Sequence, residues 1–330
     1  MAKSSMVTQT VKEQNIYSAA FREFQAKRGS SGLSWLSRLR ESAFDRFEQL
    51  GFPTTAEEEW KYTNVAPLAK TKFEPALERQ AGKDESGELQ LDEFLYPESQ
   101  GSQLVFINGI YRSELSTLEA LTEGVAALDL AEAFKDERYS GVVREHLARA
   151  ADYNASGLTA LNTAFLSSGA FLLIPRGVQV ESPIHLLFLT DPRAAQPVTF
   201  PRVLIVAERE SAATVIESYE SLAEGSYLTN AVVEVALADG ARIEHYKVQR
   251  ESADAFHIAT TAAELGRDSH YATTTITLGA QLSRHDISVS MNQAGAECHV
   301  DGLYIVGAGQ HADTHSLIDH TQPHCVSRQL

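Results

Sequence analysis

The sequence predicts an α+β chain in which a helical N-terminal part is followed by a parallel β-helix, a solenoid. Three observations predict it. Apolar residues recur at helical spacing in the first part of the chain, up to about residue 150. From about Gly169 the period shortens to two, and short strand-like runs follow one another with no 10–15-residue helix between them. Small turn signals precede those runs at Gly177, Ser211, Gly240, Ser269 and Gly295, roughly every 30 residues, a solenoid-like period. In a solenoid no coil can bury its inward row alone, and stacking makes one continuous core. The missing interleaved helices exclude a doubly wound βαβ sheet. A β-sandwich is the alternative that the pattern leaves open.

The 330 residues suggest about two domains, with a boundary placed at 150/151: a helical part with a linker and a small hairpin over 1–150, and the β-helix over 151–330. Asp and Glu outnumber Lys and Arg by 44 to 28, which gives a formal charge of −16. That balance argues against duplex nucleic acid and against anionic membrane surfaces, since both reward a basic face. Residues 1–15 are polar and lack a signal-peptide h-region, and no apolar run approaches the ~20 residues of a membrane span. The two cysteines, Cys298 and Cys325, exclude a multi-disulfide scaffold, so a reducing, cytoplasmic setting is expected.

Taken in order, Tyr17, Ala20, Phe21 and Phe24 make one helix face, with Gly29 as its stop. Leu36, Leu39, Ala43, Phe47 and Leu50 form the stripe of a second helix over Leu33–Leu50, ended by Gly51 and Pro53. A third is expected to begin at Thr55, where Thr55 and Glu58 match a capping box. Residues 79–102 read as a polar linker. Leu104–Ile107, Asn108-Gly109 and Ile110–Arg112 make a hairpin, because Asn-Gly accepts the positive φ of a tight turn. Val143, Leu147 and Ala150 share the face of a helix over Val142–Ala151.

The strand-like runs are Phe171–Ile174, Ile184–Leu189, Val203–Val206, Ala213–Glu217, Val232–Leu237, Ile243–Val248, Ala272–Leu278, Ile287–Met291, Cys298–Val306 and Ala312–Ile318. Leu173, Val203, Val215, Val233, Val235, Ile243 and Ile287 are expected to point inward. Acidic pairs such as Glu217 and Glu220 read as ordinary solvated strand ends.

The histidines concentrate near the C-terminus. His311, Asp313 and His315 alternate by two, so a strand would turn all three to one face. With His320, His324 and Cys325 they are the candidate metal ligands, because imidazole, carboxylate and thiolate suit iron and zinc. The competing reading is local hydrogen bonding or solvation, since no CxxC, HExxH or regular zinc spacing is present. No Gly-x-Ser-x-Gly elbow, Walker A loop or dinucleotide fingerprint occurs either. Cys298 and His299 are adjacent, so on a strand they face opposite ways and His299 cannot serve Cys298 as a base. Cys298 is expected to be an inert core thiol.

Three segments together resemble the SufB/SufD family of iron–sulfur cluster assembly proteins: GFPTTAEEEWKYTNV (51–65), LNTAFLSSGAFLLIPRGVQVESPIHLLFL (161–189) and GQHADTHSLIDHTQPHCVSRQL (309–330). The first is closer to the SufD branch. The resemblance runs from about Ser34 to Leu330 and implies a right-handed β-helix behind a helical N-terminal domain. It implies a non-enzymatic component of a SufBCD scaffold, with no catalytic residues and no cofactor held stably by this chain alone. The partners would be a SufB-like subunit and a SufC-like ABC ATPase, and the iron–sulfur cluster would be a transient passenger at the SufB-like interface. In the family the Cys-x-His segment linked to cluster assembly, and the ATPase-docking helices, lie further on than Leu330. The sequence therefore reads as a β-helix cut at its C-terminal end, with possible self-association through the exposed edge. A β-helix carbohydrate-active enzyme, or a mononuclear metal enzyme using the histidine-rich strands, is the alternative.

Overall fold

The computed structural model describes residues 17–27, 33–76, 91–193 and 196–330. The Gly29 stop, the reading of residues 1–15 and residues 79–90 of the polar stretch lie outside these. The helices are α1 (17–27), α2 (Ser34–Leu50), α3 (Ala66–Lys70), α4 (Leu130–Ala133), α5 (Ser140–His146) and α6 (Gly157–Ala164). The strands before the solenoid are β1 (Glu74–Pro75), β2 (Gln103–Ile107), β3 (Ile110–Tyr111) and β4 (Ala126–Asp129). Then come β5 (Ala170–Ile174), β6 (Ile184–Thr190), β7 (Pro197–Thr199), β8 (Arg202–Ala207), β9 (Ala212–Ser221), β10 (Leu228–Leu237), β11 (Arg242–Arg250) and β12 (Phe256–Leu265). The chain ends with β13 (His270–Thr277), β14 (Leu282–Met291), β15 (Glu297–Tyr304), β16 (His311–His320) and β17 (Val326–Gln329).

Alternate strands stack into two sheets, so the fold is a parallel β-solenoid. Sheet A runs β4-β5-β8-β10-β12-β14-β16, and sheet B runs β3-β2-β6-β9-β11-β13-β15-β17. From β5 and β6 onward every pairing is parallel, whereas β4 joins β5 and β3 joins β2 antiparallel. Ala170, Val203, Val233, Thr261, Ile287 and Ser316 lie one above another, which is the repeat that the turn signals foretold. The Asn108-Gly109 turn has φ of 50° and 77°, as its composition requires, and β2 also pairs in parallel with β6.

From β5 to β12 both faces of sheet A are largely buried. The inward face lines the lumen with Leu172, Val203, Ile205, Val233, Val235, Ile287 and Val289. On the outward face Val198, Leu228, Phe256, Ile258 and Leu282 pack beneath α1, α2 and α6 through Phe21, Phe24, Phe44, Phe47 and Phe165. A second apolar patch joins Leu36 of α2, Phe134, Val143 and Leu147 to Phe171, Leu204 and Val206. The approach of α2 to α6 is close: a Cβ on Gly157 would stand 2.0 Å from the Gly51 carbonyl oxygen.

Several sequence expectations need correction. Leu173 points outward, toward the Leu36 patch, while Leu172 and Ile174 face the lumen. The run is apolar on both faces, so no alternation marks its register. In α2, Leu50 is exposed, and Arg40 and Phe44 complete the buried face. No regular helix begins at Thr55; that segment is a 3₁₀ turn over Glu58–Trp60, followed by α3. The box forms one residue earlier, with the Thr54 N–H donating to Glu57 Oε1 at 2.8 Å. The helix expected to reach Ala151 stops at His146, and Ala148 takes a φ of 57°. The sequence reading also missed α6, the Ala/Thr-rich β12, the final β17 and the short elements β1, β4, β7 and α4. Among the described residues, no helix is long and apolar enough to cross a membrane.

Candidate functional site

The predicted row forms, and it forms outside the solenoid. β16 lies beside β14 with Arg284 opposite Asp313 and Asp286 opposite His315. His311, Asp313 and His315 therefore share one outward face. The Glu58–Trp60 turn closes over that face. Arg284, only 2% exposed, is the centre of the cluster. Its guanidinium donates to Asp286 Oδ1 at 2.7 Å, Asp313 Oδ2 at 2.6 Å and the Glu59 carbonyl at 2.7 Å. It also lies 4.2 Å over the Trp60 ring, a cation–π contact. Thr63 Oγ1 donates to Asp313 and sits 3.1 Å from His311 Nε2. His315 is 3.2 Å from Asp313 Oδ1 and 3.3 Å from Glu59 Oε2. Burial pushes the Asp313 carboxyl up, but Thr63 and Arg284 pull it further, so it ends below its ordinary value. Burial wins at Asp286, whose carboxyl is raised despite Arg284.

The other three candidates stand apart from this row. His320 pairs with Ser327 Oγ at 3.0 Å, and His324 sits exposed in the turn before β17 with a φ of 63°. Cys325 is half-buried against the lumen, its Sγ 3.4 Å from the Gln293 carbonyl. The six candidates thus do not converge on one site: three share the outer row and three stand apart from it. Among the described residues, no group of three or more His, Cys, Asp and Glu is arranged to hold a metal ion.

Cys298 and His299 do face opposite ways. Cys298 is fully buried in the lumen, and burial pushes its thiol up to about 12. His299 stands outside, 5.1 Å from the His270 ring. A thiol reagent on native protein at pH 7.5 is expected to modify the half-buried Cys325 well before Cys298. Modification of Cys298 at the rate of an exposed thiol would contradict its burial.

Sequence reasoning missed a second cluster, inside the lumen. Glu217, read as a solvated strand end, is fully buried in it; Glu220, on the opposite phase of β9, is 5% exposed and accepts from Arg250 instead. The inward phase that places Ile243 in the core continues through His245, Lys247 and Gln249, so period-two counting along β11 was the available signal. These residues meet Glu217 and Tyr219 of β9, Glu251 at the corner after β11, His257 of β12 and His285 of β14. Lys247 Nζ is 2.7 Å from His257 Nε2, and His257 Nδ1 is 2.7 Å from Glu251 Oε2. Thr229 Oγ1 and Gln249 Nε2 donate to the same carboxylate at 2.6 and 2.9 Å. His245 Nδ1 is 2.9 Å from Tyr271 Oη, and its Nε2 is 3.7 Å from Glu217 Oε1.

Burial raises both glutamates. His245, then Lys247, outweighs it at Glu217, and His257, then Thr229 and Gln249, outweighs it at Glu251, so both stay below the usual carboxylate range. Burial lowers His257 and His285, and brings Lys247 down to about 8 against the pull of Glu217 and Glu251. The lumen therefore holds two carboxylates kept below their ordinary range, two imidazoles, His257 and His285, whose charged form burial disfavours, and one amine lowered to about 8.

Comparison with known proteins places both halves of the chain in one family. The family model for the SufBD protein N-terminal region matches residues 11–186, and that for the SUF system FeS cluster assembly SufBD core domain matches 188–330. A SufBD family protein of Synechocystis is 32% identical over 90% of this chain and 66% of its own length. SufD of Escherichia coli is 25% identical over 85% of this chain and 62% of its own. SufB of Bacillus subtilis is 25% identical over 72% of this chain and 51% of its own. The chain thus spans two thirds or less of the length of these curated relatives. With both halves matched in order, and with a helical layer on a parallel solenoid as its fold, the chain belongs to the SufB/SufD family of the SUF iron–sulfur cluster assembly system.

Proposed function

We propose that this chain is a SufD-like, non-catalytic scaffold component that works with a SufB-like chain and a SufC-like ATPase in iron–sulfur cluster assembly. The observation that carries the reading is the match of both family regions across residues 11–330. That match favours a scaffold over a carbohydrate-active or mononuclear metal enzyme. The outer histidine row supports it, because Arg284 and Thr63 engage those side chains in holding the N-terminal turn to the solenoid. Contact with cluster cargo would then fall to His320, His324 and Cys325, which are exposed or half-buried at the last coil. A reducing cytoplasm suits the two free cysteines. The test is size-exclusion chromatography with light scattering on this chain mixed with a SufB-like and a SufC-like protein. Co-elution with the SufB-like chain is the expected result. Elution of this chain alone from every mixture would overturn the reading.

A further inference from the structure

We propose that His270 and His299, on the outer face of sheet B, form an open two-imidazole site for a divalent transition-metal ion of the Zn²⁺ class. The inference goes beyond the scaffold reading and does not rest on it.

Strand register brings the pair together. On β13 and β15, Tyr271 and Cys298 turn into the lumen, so His270, Ala272, Glu297 and His299 turn outward. In the ladder His270 stands opposite Glu297, and Ala272 stands opposite His299. The two imidazoles are therefore diagonal neighbours. Ala272 carries nothing beyond its Cβ, which leaves room for the His299 ring to lean toward His270. The ring centroids lie 5.1 Å apart, with the planes at 73°. Two imidazoles on one tetrahedral zinc would stand about 5 Å apart, since each Zn–N bond is about 2.0–2.1 Å and the two bonds open to about 109°. The paired strands thus hold both rings at the spacing that chelation needs before any ion arrives.

Glu297 selects the ligating nitrogen. Its Oε2 lies 3.5 Å from His270 Nδ1. A carboxylate beside Nδ1 favours the proton there and leaves the Nε2 lone pair for the metal, as in carboxylate–histidine–zinc sites. Glu297 is therefore a positioning residue, His270 and His299 are the ligands, and water completes the shell. Such a site is open and exchangeable, unlike the four-ligand shell of a structural zinc. It needs no third protein ligand, in keeping with the absence of a three-ligand group among the described residues. The His270 side chain is 28% exposed, so an ion reaches the ring directly from solvent. The flanking charges on this face are mixed: Arg242 and Arg328 lie beside His270 and His299, and Glu244 lies beside Ala272. Imidazole suits zinc, copper and nickel, whereas magnesium takes oxygen ligands. A plain ring contact would hold the two imidazoles just as close and bind no metal, so a metal titration separates the two readings.

The site is read in the full chain at pH 7.5 by NMR of the imidazole ring nitrogens during titration with Zn²⁺. The His270 and His299 signals should move together and saturate at a single equivalent, and excess Mg²⁺ should leave that response in place. Calorimetry should lose this binding event in His270→Gln and in His299→Gln, and should find it weakened by roughly tenfold in Glu297→Gln. Movement of only one of the two imidazoles would overturn the site. So would a response confined to a large excess of zinc, which means an adventitious ion only, or displacement of zinc by Mg²⁺. These outcomes need no variant to fold. Unchanged zinc stoichiometry in either folded histidine variant would overturn it as well.

Discussion

Glu234→Ala is expected to destabilise the protein by about 3–5 kcal/mol. Glu234 points outward from β10 under the N-terminal layer, where its carboxylate accepts from the N–H groups of Ala148, Arg149 and Ala151 at 2.9, 2.8 and 3.2 Å. It is also ion-paired to Arg202, whose side chain has no exposed surface. Arg202 donates further to Asn162 Oδ1 and Thr163 Oγ1 of α6, at 3.0 and 3.1 Å. Removing the carboxylate leaves a buried guanidinium without its counter-charge and orphans three backbone donors, each costly inside a protein. The double variant Arg202→Met/Glu234→Met should cost less than the single one, because no unpaired charge remains. Urea unfolding of both variants is the measurement. A single-variant loss below about 1 kcal/mol, against the range for a broken buried pair, would refute the account.

Arg284→Ala is the second large effect, about 2–4 kcal/mol once the partial exposure of its carboxylate partners is allowed for. The change removes two ion pairs, a hydrogen bond to the Glu59 carbonyl and the cation–π contact with Trp60. It also leaves Asp286 and Asp313 facing each other without the charge that separates them. The loss should be local before it is global: β14, β16 and the turn over Glu58–Trp60 should lose hydrogen-exchange protection, while the α6–β10 contact keeps its own. Trp60 fluorescence should shift red as its ring is wetted. Unchanged protection at β16 would show that Arg284 does not hold the turn. Arg284→Lys should recover only part of the loss, because an ammonium cannot bridge two carboxylates and stack on an indole at once.

These two sites show why some of the fold was legible and some was not. The strands of sheet B that meet water outside alternate cleanly: Ile243, His245 and Lys247 are buried, while Arg242 and Glu244 are exposed. Where α1, α2 and α6 cover sheet A, both faces are buried and alternation fades. That is why Leu173 was assigned to the wrong face and the Ala/Thr-rich β12 was passed over. The outer histidine row was readable because period two puts His311, Asp313 and His315 on one face of any strand. Their partners were not, since Glu59 and Arg284 are 225 residues apart in the chain.

By itself, the sequence determined the change from helical to strand periodicity near Gly169, the Asn108-Gly109 hairpin turn, the solenoid repeat and the family. All of these are local patterns or matches to whole segments. Tertiary structure alone decided what each polar residue does. Glu217, Lys247 and His257 look like surface residues of ordinary strands, and only closure of the coils turns their inward phase into burial. Glu234 looks equally ordinary until α6 and the turn after α5 fold over sheet A. The physical reason is that period two assigns a side chain to a face, whereas stacking and covering layers decide whether that face meets water, lumen or helix.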